Sequence, residues 1–235
     1  MRWNRFLCAT TVLVAMGSVA SATPISGTFN MSGTVTVTAT TMTWNSDVSP
    51  FAPGMFTLSS GAGSFAGADG QNAIDALNIS TEPVGAAFAP AAFISFDVGP
   101  ALPGLEVDFI SAGIGGSAAC SLAPAVGQTC TPPNPGGSPF TFTNESLGQS
   151  GAQWVVSGVT SDGLSAWTGV FSSQFNEPFQ TVLSAFAMGG SGSVSNSFAA
   201  TLTVTVTPTP EPFPFVTLAL GLVVLVACRK YRQAL

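Results

Sequence analysis

Glu106 and Asp108 form the closest carboxylate pair in a chain of 235 residues that contains no histidine. Paired carboxylates can hydrolyse a glycosidic bond, one acting as acid and the other as base or nucleophile. Their spacing places both on one face of a predicted strand, opposite the apolar residues of the segment LEVDFI. The pair is therefore either the solvent face of a strand or, if both side chains line a cleft, the site of a carboxylate hydrolase.

Other catalytic chemistry is largely excluded by composition. Without histidine, Ser-His-Asp and Cys-His catalysis cannot occur, and the usual zinc sites are unavailable. Calcium suits unpaired carboxylates, and Asp69, Asp97 and Asp162 are the acidic residues to consider as ligands. No D-x-D-x-D-G loop occurs, however, and these three residues are typical of turns. We predict no enzyme activity and no cofactor, with calcium as the alternative.

Two of the four cysteines, Cys8 and Cys228, lie in the terminal segments. The remaining pair, Cys120 and Cys130, should form a disulfide if the domain is exported to an oxidising compartment. Loop-closure entropy predicts a contribution of about 3 kcal/mol to stability. The segment that this bond closes is rich in Pro and Gly, so the disulfide would be its main constraint.

Positive charge is confined to the two ends of the chain. The five basic residues are Arg2, Arg5, Arg229, Lys230 and Arg232. The ten acidic residues between Asp47 and Glu177 therefore have no basic side chain near them in sequence. Nucleic-acid binding is excluded, because it requires cations that displace counterions from phosphates. A cation-free segment translocates readily while basic clusters stay in the cytoplasm, so we predict that the centre of the chain is exported.

Residues 1–22 have the organisation of a secretory signal peptide. A basic start is followed by an apolar stretch and by the small-residue site Ala20-Ser21-Ala22. This order predicts cleavage after Ala22, before Thr23, with Ala20 and Ala22 as the recognised small residues. The alternative is a buried N-terminal helix.

Residues 213–228 are apolar or small and are followed by Arg229, Lys230 and Arg232. As a helix this segment would reach about 24 Å, against a hydrocarbon core of about 30 Å, so it is a short transmembrane helix. The three basic residues would stop transfer on the cytoplasmic side. The segment is expected to anchor the exported precursor in the membrane.

Pro210, Glu211 and Pro212 stand directly before this apolar segment and its basic end. The three-part tail, residues 208–235, resembles the PEP-CTERM sorting signal of Gram-negative bacteria, with Thr209 where that family usually has Val. The same type of tail is also catalogued as an "ice-binding protein C-terminal" domain. The resemblance implies processing by an exosortase, a membrane-embedded cysteine transpeptidase, and delivery to the cell surface or the exopolysaccharide matrix. The alternative is a plain C-terminal anchor that is retained.

Residues 23–207 show the period-two alternation of β-strands, separated by Gly, Pro and Asn clusters. One segment, beginning at Phe179, has helical spacing instead, with Asn176 as the expected N-cap and Gly189-Gly190 as the expected stop. These patterns predict a mainly β ectodomain, an antiparallel β-sandwich of jelly-roll type with one short helix. Because the first and last long strands share a Thr/Val alternation, we expect them to be neighbours.

Aromatic and hydroxyl side chains offer further binding hypotheses. Trp44, Trp154 and Trp167 could stack on sugar rings if exposed, or they could pack in the core. Two threonine rows could bind ice or could be ordinary solvent faces: Thr34, Thr36, Thr38 and Thr201, Thr203, Thr205.

The prediction for the whole chain is a noncatalytic exported protein with a structural or adhesive role. The precursor would be membrane-anchored with its body on the periplasmic side, and the mature protein would reach the cell surface or the extracellular matrix. The alternative is a carbohydrate-binding module with extracellular polysaccharide as partner. A carboxylate-dependent glycoside hydrolase and an ice-binding protein are the remaining hypotheses.

Overall fold

The computed structural model describes residues 23–48, 53–187 and 192–208. The predicted signal peptide, the Pro210-Glu211-Pro212 motif and the predicted transmembrane segment 213–228 lie outside these residues. Among the described helices, none is long and apolar enough to cross a membrane. The strands described below all belong to one compact unit, Pro24–Thr207.

Within this part of the chain the structure is mainly β and antiparallel with a single α-helix, as predicted. The strands are β1 Gly27–Val37, β2 Thr41–Asn45, β3 Met55–Gly63, β4 Gly70–Ile74, β5 Leu77–Asn78, β6 Ala87–Ser95, β7 Leu105–Ile110, β8 Thr129–Cys130, β9 Thr141–Ser146, β10 Gln149–Thr160, β11 Ser165–Phe175 and β12 Val194–Val206. The α-helix, α1, spans Phe179–Ala187, and a short 3-10 helix spans Ser117–Ser121.

The described strands form one hydrogen-bonded sheet in the order β11-β12-β1-β3-β4-β6-β7-β10-β9-β8, with β2 and β5 attached beside β1. Strand β10 also pairs with β11 along its length, so the sheet closes on itself. The opposite edge of β10 is shared, with β9 on its first half and β7 on its second half. The described strands therefore form a single closed antiparallel sheet, and its arrangement as a sandwich of jelly-roll type stays a prediction.

The predicted pairing of the first and last long strands is confirmed. Strand β1 runs antiparallel to β12, with Gly27 opposite Val204 and Val37 opposite Val194. Phe29, Met31 and Val35 of β1 are buried, whereas the polar residues between them, Asn30, Ser32 and Thr34, are exposed or half-buried. The Thr/Val alternation thus gives each strand one buried apolar face and one solvent-facing polar face, because successive side chains point to opposite faces of a sheet.

Gly158 marks a close crossing of β10 and β7. The β10–β7 register shifts between Ser157 and Gly158. A Cβ atom on Gly158 would lie 1.9 Å from the carbonyl oxygen of Glu106. This position therefore requires glycine, since no side chain fits between the two backbones.

An aromatic core lies within the main cluster of buried residues. We define it as Trp44, Phe93, Trp154, Trp167, Phe171 and Phe198, all of which are buried. Phe171 stacks on Trp154 with ring centroids 5.4 Å apart and contacts Trp44 at 5.5 Å. Phe93 stacks on Trp167 at 5.7 Å. Since these rings come from β2, β6, β10, β11 and β12, they join strands that are not hydrogen-bonded neighbours.

Helix α1 packs on a second, smaller apolar cluster: Cys130, Phe142, Ala152, Phe179 and Val182. The first helical N–H, that of Phe179, donates to Oδ1 of Asn144 in β9 over 3.0 Å. The expected N-cap, Asn176, does not directly precede the helix, because Pro178 stands there. Asn144, which is remote in sequence, therefore satisfies a helix N-terminal donor that local sequence was expected to satisfy. The expected stop at Gly189-Gly190 lies outside the described residues.

Candidate functional site

One end of the closed sheet contains a cavity of about 460 Å³. Its walls come from the ends of β1 and β2, from β9, β10 and β11, from helix α1 and from the segment around the disulfide. The space is partly open to solvent and is not an enclosed void. Its volume lies in the range of small-molecule binding sites.

The cavity wall is largely apolar. Its larger apolar side chains are Val35, Val37, Met42, Ile79, Phe140, Phe142, Trp154, Phe175, Val182, Leu183, Phe186 and Val194. Among the described residues, none that lines the cavity is charged. The polar lining residues carry hydroxyl or amide groups, for example Thr41, Asn134 and Ser173. An occupant would therefore be held by apolar contact, with polar groups providing orientation.

Two regular elements explain why these side chains converge. In β10 the alternation buries Ala152 and Trp154 on the inner face. In α1, Val182, Leu183 and Phe186 lie on one face, because residues three and four apart are neighbours on a helix. The Asn144 side chain also donates to Oε1 of Gln180 over 3.0 Å, which ties the helix to β9.

The irregular part of the wall is held by the predicted disulfide. Cys120 and Cys130 are paired, with their Cα atoms 5.2 Å apart. Cys130 is buried beneath α1, and Cys120 lines the cavity together with Pro132 and Pro133. This bond thus fixes a segment that has little regular structure of its own.

Trp154 differs from the other two tryptophans of the aromatic core in its hydrogen bonding. The indole N–H of Trp44 donates to the carbonyl of Asp75 over 3.1 Å, and that of Trp167 donates to the carbonyl of Glu106 over 2.9 Å. Trp154 is only 2 % exposed, yet its Nε1 has no partner in the described part of the chain. A buried, unsatisfied donor costs about 1–3 kcal/mol, so it requires an explanation.

The positions of the tryptophans remove the basis for sugar stacking on them. Trp44, Trp154 and Trp167 are each 2 % exposed and belong to the aromatic core. A carbohydrate platform needs exposed ring faces, which these side chains do not offer. Glu106 and Asp108 share a half-exposed face of β7, as their spacing predicted, and neither lines the cavity.

The acidic residues considered for calcium serve turns and loops. Oδ1 of Asp69 accepts from the N–H of Gly61 over 3.1 Å, and Oδ1 of Asp162 accepts from that of Leu164 over 3.0 Å. The N–H of Asp97 donates to Oδ1 of Asn72. Across residues 23–48, 53–187 and 192–208, no group of three or more metal-ligating side chains occurs.

The two threonine rows lie on neighbouring strands but do not face each other. Thr34 and Thr36 lie opposite Ser197 and Ser195, whereas Thr201 and Thr203 lie opposite Asn30 and Thr28. Thr38 follows the end of β1, and its hydroxyl bonds to that of Thr41 over 2.7 Å. The sheet therefore presents a mixed face of Thr, Ser and Asn rather than one extended threonine array.

Asp47 is the acidic group whose surroundings most clearly change its acidity. Partial burial acts to raise its pKa, but hydrogen bonds from the hydroxyls of Ser32 and Thr57 outweigh that effect and lower the pKa. The carboxylate thereby links β1 and β3 on the outer face of the sheet. Asp47 is not among the residues that line the cavity.

The residues of the predicted sorting machinery lie outside the described residues. These are Ala20 and Ala22 of the cleavage site, Pro210, Glu211 and Pro212 of the motif, and Arg229, Lys230 and Arg232 of the basic end. Comparison of the chain with protein-family models, with curated proteins and with solved structures finds no match.

Proposed function

We propose that this chain is the precursor of a noncatalytic exported protein with a structural or adhesive role. In this proposal the signal peptide directs residues 23–207 across the membrane, and the tail anchors the precursor until an exosortase processes it near Pro210-Glu211-Pro212. The mature body then resides at the cell surface or in the exopolysaccharide matrix. In this proposal the closed sheet of the body is a flattened one, with two sides that pack face to face as a sandwich of jelly-roll type.

One observation carries the proposal: basic residues occupy only the two ends, while the body between them has none and has its two cysteines at bonding distance. A cation-free body suits translocation, and the basic ends suit retention on the cytoplasmic side. A disulfide persists in oxidising compartments and seldom in the cytosol. These features support export independently of the resemblance of the tail.

The intact mass of the protein, purified from cells with and without a functional exosortase, tests the proposal. We expect a mature form that lacks both termini in the first case and a form that retains the tail in the second. The variant Glu211→Ala should also retain the tail. Glu177→Ala is the matched control, because Glu177 also precedes a proline but lies in the body. Equal masses with and without the exosortase would contradict the sorting step.

The location of the body provides a separate test of export. A reporter that functions only outside the cytoplasm should be active when it is fused after Thr207. Thiol labelling should leave Cys120 and Cys130 unmodified until a reductant is added. A cytosolic reporter with freely reactive cysteines would contradict export itself, whatever happens to the tail.

The alternative of a carbohydrate-binding module now depends on the outer face of the sheet. The exposed residues Thr201, Thr203 and Thr205 offer hydroxyl groups to a neutral polysaccharide or to ice, without the aromatic platform that sugar binding often uses. Binding of the full chain to insoluble exopolysaccharide, compared with that of a Thr201→Val, Thr203→Val double variant, distinguishes this function from a purely structural one.

A further inference from the structure

The disulfide joins two cysteines whose surroundings differ sharply. Cys130, on the two-residue strand β8, is 0 % exposed and packs in the smaller apolar cluster beneath α1. Cys120 is half-buried in the 3-10 helix Ser117–Ser121, which contains no buried residue. One end of the bond is therefore enclosed by the body, whereas the other end belongs to a residue with surface open to solvent.

This difference determines which of the two sulfurs a thiol can attack. Thiol–disulfide exchange begins when a thiolate attacks one sulfur of the bond and the other sulfur leaves, so the rate depends on access to the attacked sulfur. Cys130 has no exposed surface, so a thiolate from solvent does not reach it in the folded body. Cys120 has such surface and also lines the partly open cavity. The permitted reaction is attack at Cys120 with Cys130 as the leaving group.

The bond is also the main attachment of the segment that precedes β8. Residues 117–124 are exposed or half-buried, and they form no hydrogen bond to another strand or helix of the described body. Packing of the 3-10 helix on the smaller apolar cluster is their other attachment. Hydrogen bonds to the body occur on both sides of the segment. The Gly115 N–H donates to Oγ1 of Thr131 over 2.8 Å, and the Gly127 N–H donates to the carbonyl of Asn144 over 2.8 Å.

We propose that the disulfide is a directional redox latch, which low-molecular-mass thiols open at Cys120. In the first step the thiolate forms an S–S bond to Cys120, and the bond between Cys120 and Cys130 breaks. Cys130 leaves with the electron pair and takes up a proton. A second thiolate then attacks the adduct, which releases Cys120 as a thiol and the two attacking thiols as their disulfide. Two thiols are thus oxidised for each protein disulfide that is reduced.

Opening of the latch would change the cavity end and leave the rest of the sheet in place. Cys130 stays in the smaller apolar cluster, while residues 117–124 move away between the fixed points at Gly115 and Gly127. Because Cys120 and Ser121 form part of the cavity wall, their movement widens the opening of the cavity. The latch does not depend on the proposed sorting, since it belongs to the body alone.

Exchange with glutathione, a tripeptide thiol, tests the direction of attack. The protein is the full chain in detergent micelles with Cys8→Ser and Cys228→Ser, so that only the paired cysteines remain. After a short incubation near neutral pH, acid stops the exchange and peptide mapping by mass spectrometry locates the adduct. We expect glutathione on Cys120 at least tenfold more often than on Cys130. Equal shares or an excess on Cys130 would overturn the direction, and no adduct on either would overturn the latch.

A pair of valine substitutions tests whether burial beneath α1 sets this direction. Val182 is 3 % exposed and belongs to the same cluster as Cys130. Val182→Ala should open a path to Cys130 and increase its share of the adduct at least threefold. Val170→Ala is the matched control, because it removes the same atoms from an exposed position on β11 and should change nothing. An unchanged share in a Val182→Ala variant that is folded by circular dichroism would contradict the role of burial.

Limited proteolysis with elastase, which cuts after small apolar residues, tests the release of the segment. The variant Cys120→Ser, made in the same background, lacks the bond but keeps Cys130 in its cluster. We expect elastase to cut it between residues 117 and 126 at least tenfold faster than the oxidised protein, while β1 and β12 stay intact. Equal rates of cutting would show that the disulfide does not hold the segment, and the latch would be wrong even if attack occurs at Cys120.

Discussion

The aromatic core and the cavity end are built from similar apolar side chains, but these side chains pack more closely in the core than at the cavity end. In the aromatic core, rings from five strands contact one another, and the indoles of Trp44 and Trp167 are hydrogen-bonded. At the cavity end, phenylalanines and valines surround about 460 Å³ of space. Trp154 belongs to both regions, and its indole has no partner in the described residues. Apolar composition alone therefore does not determine how tightly a region packs. The packing also depends on the secondary-structure elements that close each region.

The closing elements are different in kind. Around the aromatic core, long strands place an inward side chain at every second residue, so opposite faces interdigitate. The cavity end is closed by α1, by the turn after β1 and by the disulfide segment, none of which continues the strand period. Each of the following predictions compares the two regions, beginning with the largest expected effect.

Truncation of one aromatic ring in each region should give very different losses of stability. Phe171→Ala removes a fully buried ring that contacts Trp44, Trp154 and Phe198, and we expect a loss of about 4 kcal/mol in the free energy of unfolding. Phe186→Ala removes a half-buried ring from a wall that already borders space, so its cost should stay below about 1 kcal/mol.

Chemical denaturation monitored by circular dichroism measures both values under the same conditions. Similar losses for the two variants would show that the cavity end is as tightly packed as the core. In that case the space would not persist in solution, and the comparison would fail.

Removal of the disulfide should affect the cavity end selectively. The double variant Cys120→Ser, Cys130→Ser opens the loop between two cysteines that are 10 residues apart in sequence. The loop-entropy estimate predicts a loss of about 3 kcal/mol in the free energy of unfolding. Hydrogen exchange should increase in β8, β9 and α1, which contact this segment, and should remain unchanged in the β1–β12 pair. Uniform acceleration over all strands would show that the sheet closes as one cooperative unit with its end.

A matched pair of tryptophan substitutions isolates the hydrogen bond from the ring. Trp167→Phe removes the bond to the Glu106 carbonyl, whereas Trp154→Phe removes a donor that has no partner among the described residues. Both reduce ring volume by the same amount, so the difference reports on the N–H. We expect Trp167→Phe to cost at least about 1 kcal/mol more, as measured by urea denaturation. A larger loss for Trp154→Phe would mean that its N–H is satisfied in the native protein.

Local periodicity was enough to predict the regular parts of this fold. The alternation in LEVDFI corresponds to β7, Leu105–Ile110, and the spacing after Phe179 corresponds to α1, Phe179–Ala187. The shared pattern of the first and last strands predicted their pairing. These predictions succeeded for one reason. A strand or helix with one buried face has apolar residues at the period of that element, and this period can be seen in the sequence.

Features that depend on distant partners could not be predicted in the same way. The closure of the sheet rests on β10 pairing with three strands, which requires glycine at position 158 but gives no periodic signal. The cap of α1 comes from Asn144 instead of the local Asn176. The cavity lining consists of residues that look like ordinary core positions, and only the three-dimensional arrangement shows that the indole of Trp154 has no partner among the described residues.

Acid distinguishes the outer face of the sheet, where Asp47 lies, from the cavity end, with the smallest expected effect. The hydroxyls of Ser32 and Thr57 lower the pKa of Asp47 below its ordinary value of 3.8. A group with a lowered folded-state pKa contributes stability above that ordinary value and loses the contribution as pH falls through the folded pKa. Because Asp47 is exposed, the loss should be below about 1 kcal/mol. The described residues of the cavity wall include no titratable side chain, since Cys120 is disulfide-bonded, so the packing of the cavity end should not change over the same range.

Thermal unfolding of wild type and of Asp47→Asn between pH 7 and pH 3 measures this contribution. At pH 7 the variant should be slightly less stable, because a neutral amide accepts weaker hydrogen bonds from Ser32 and Thr57 than a carboxylate does. As the pH falls below 3.8, wild type should lose this advantage and the two curves should converge. Curves that stay parallel down to pH 3 would show that the carboxylate does not hold β1 to β3, and that the outer face is as loosely joined as the cavity end.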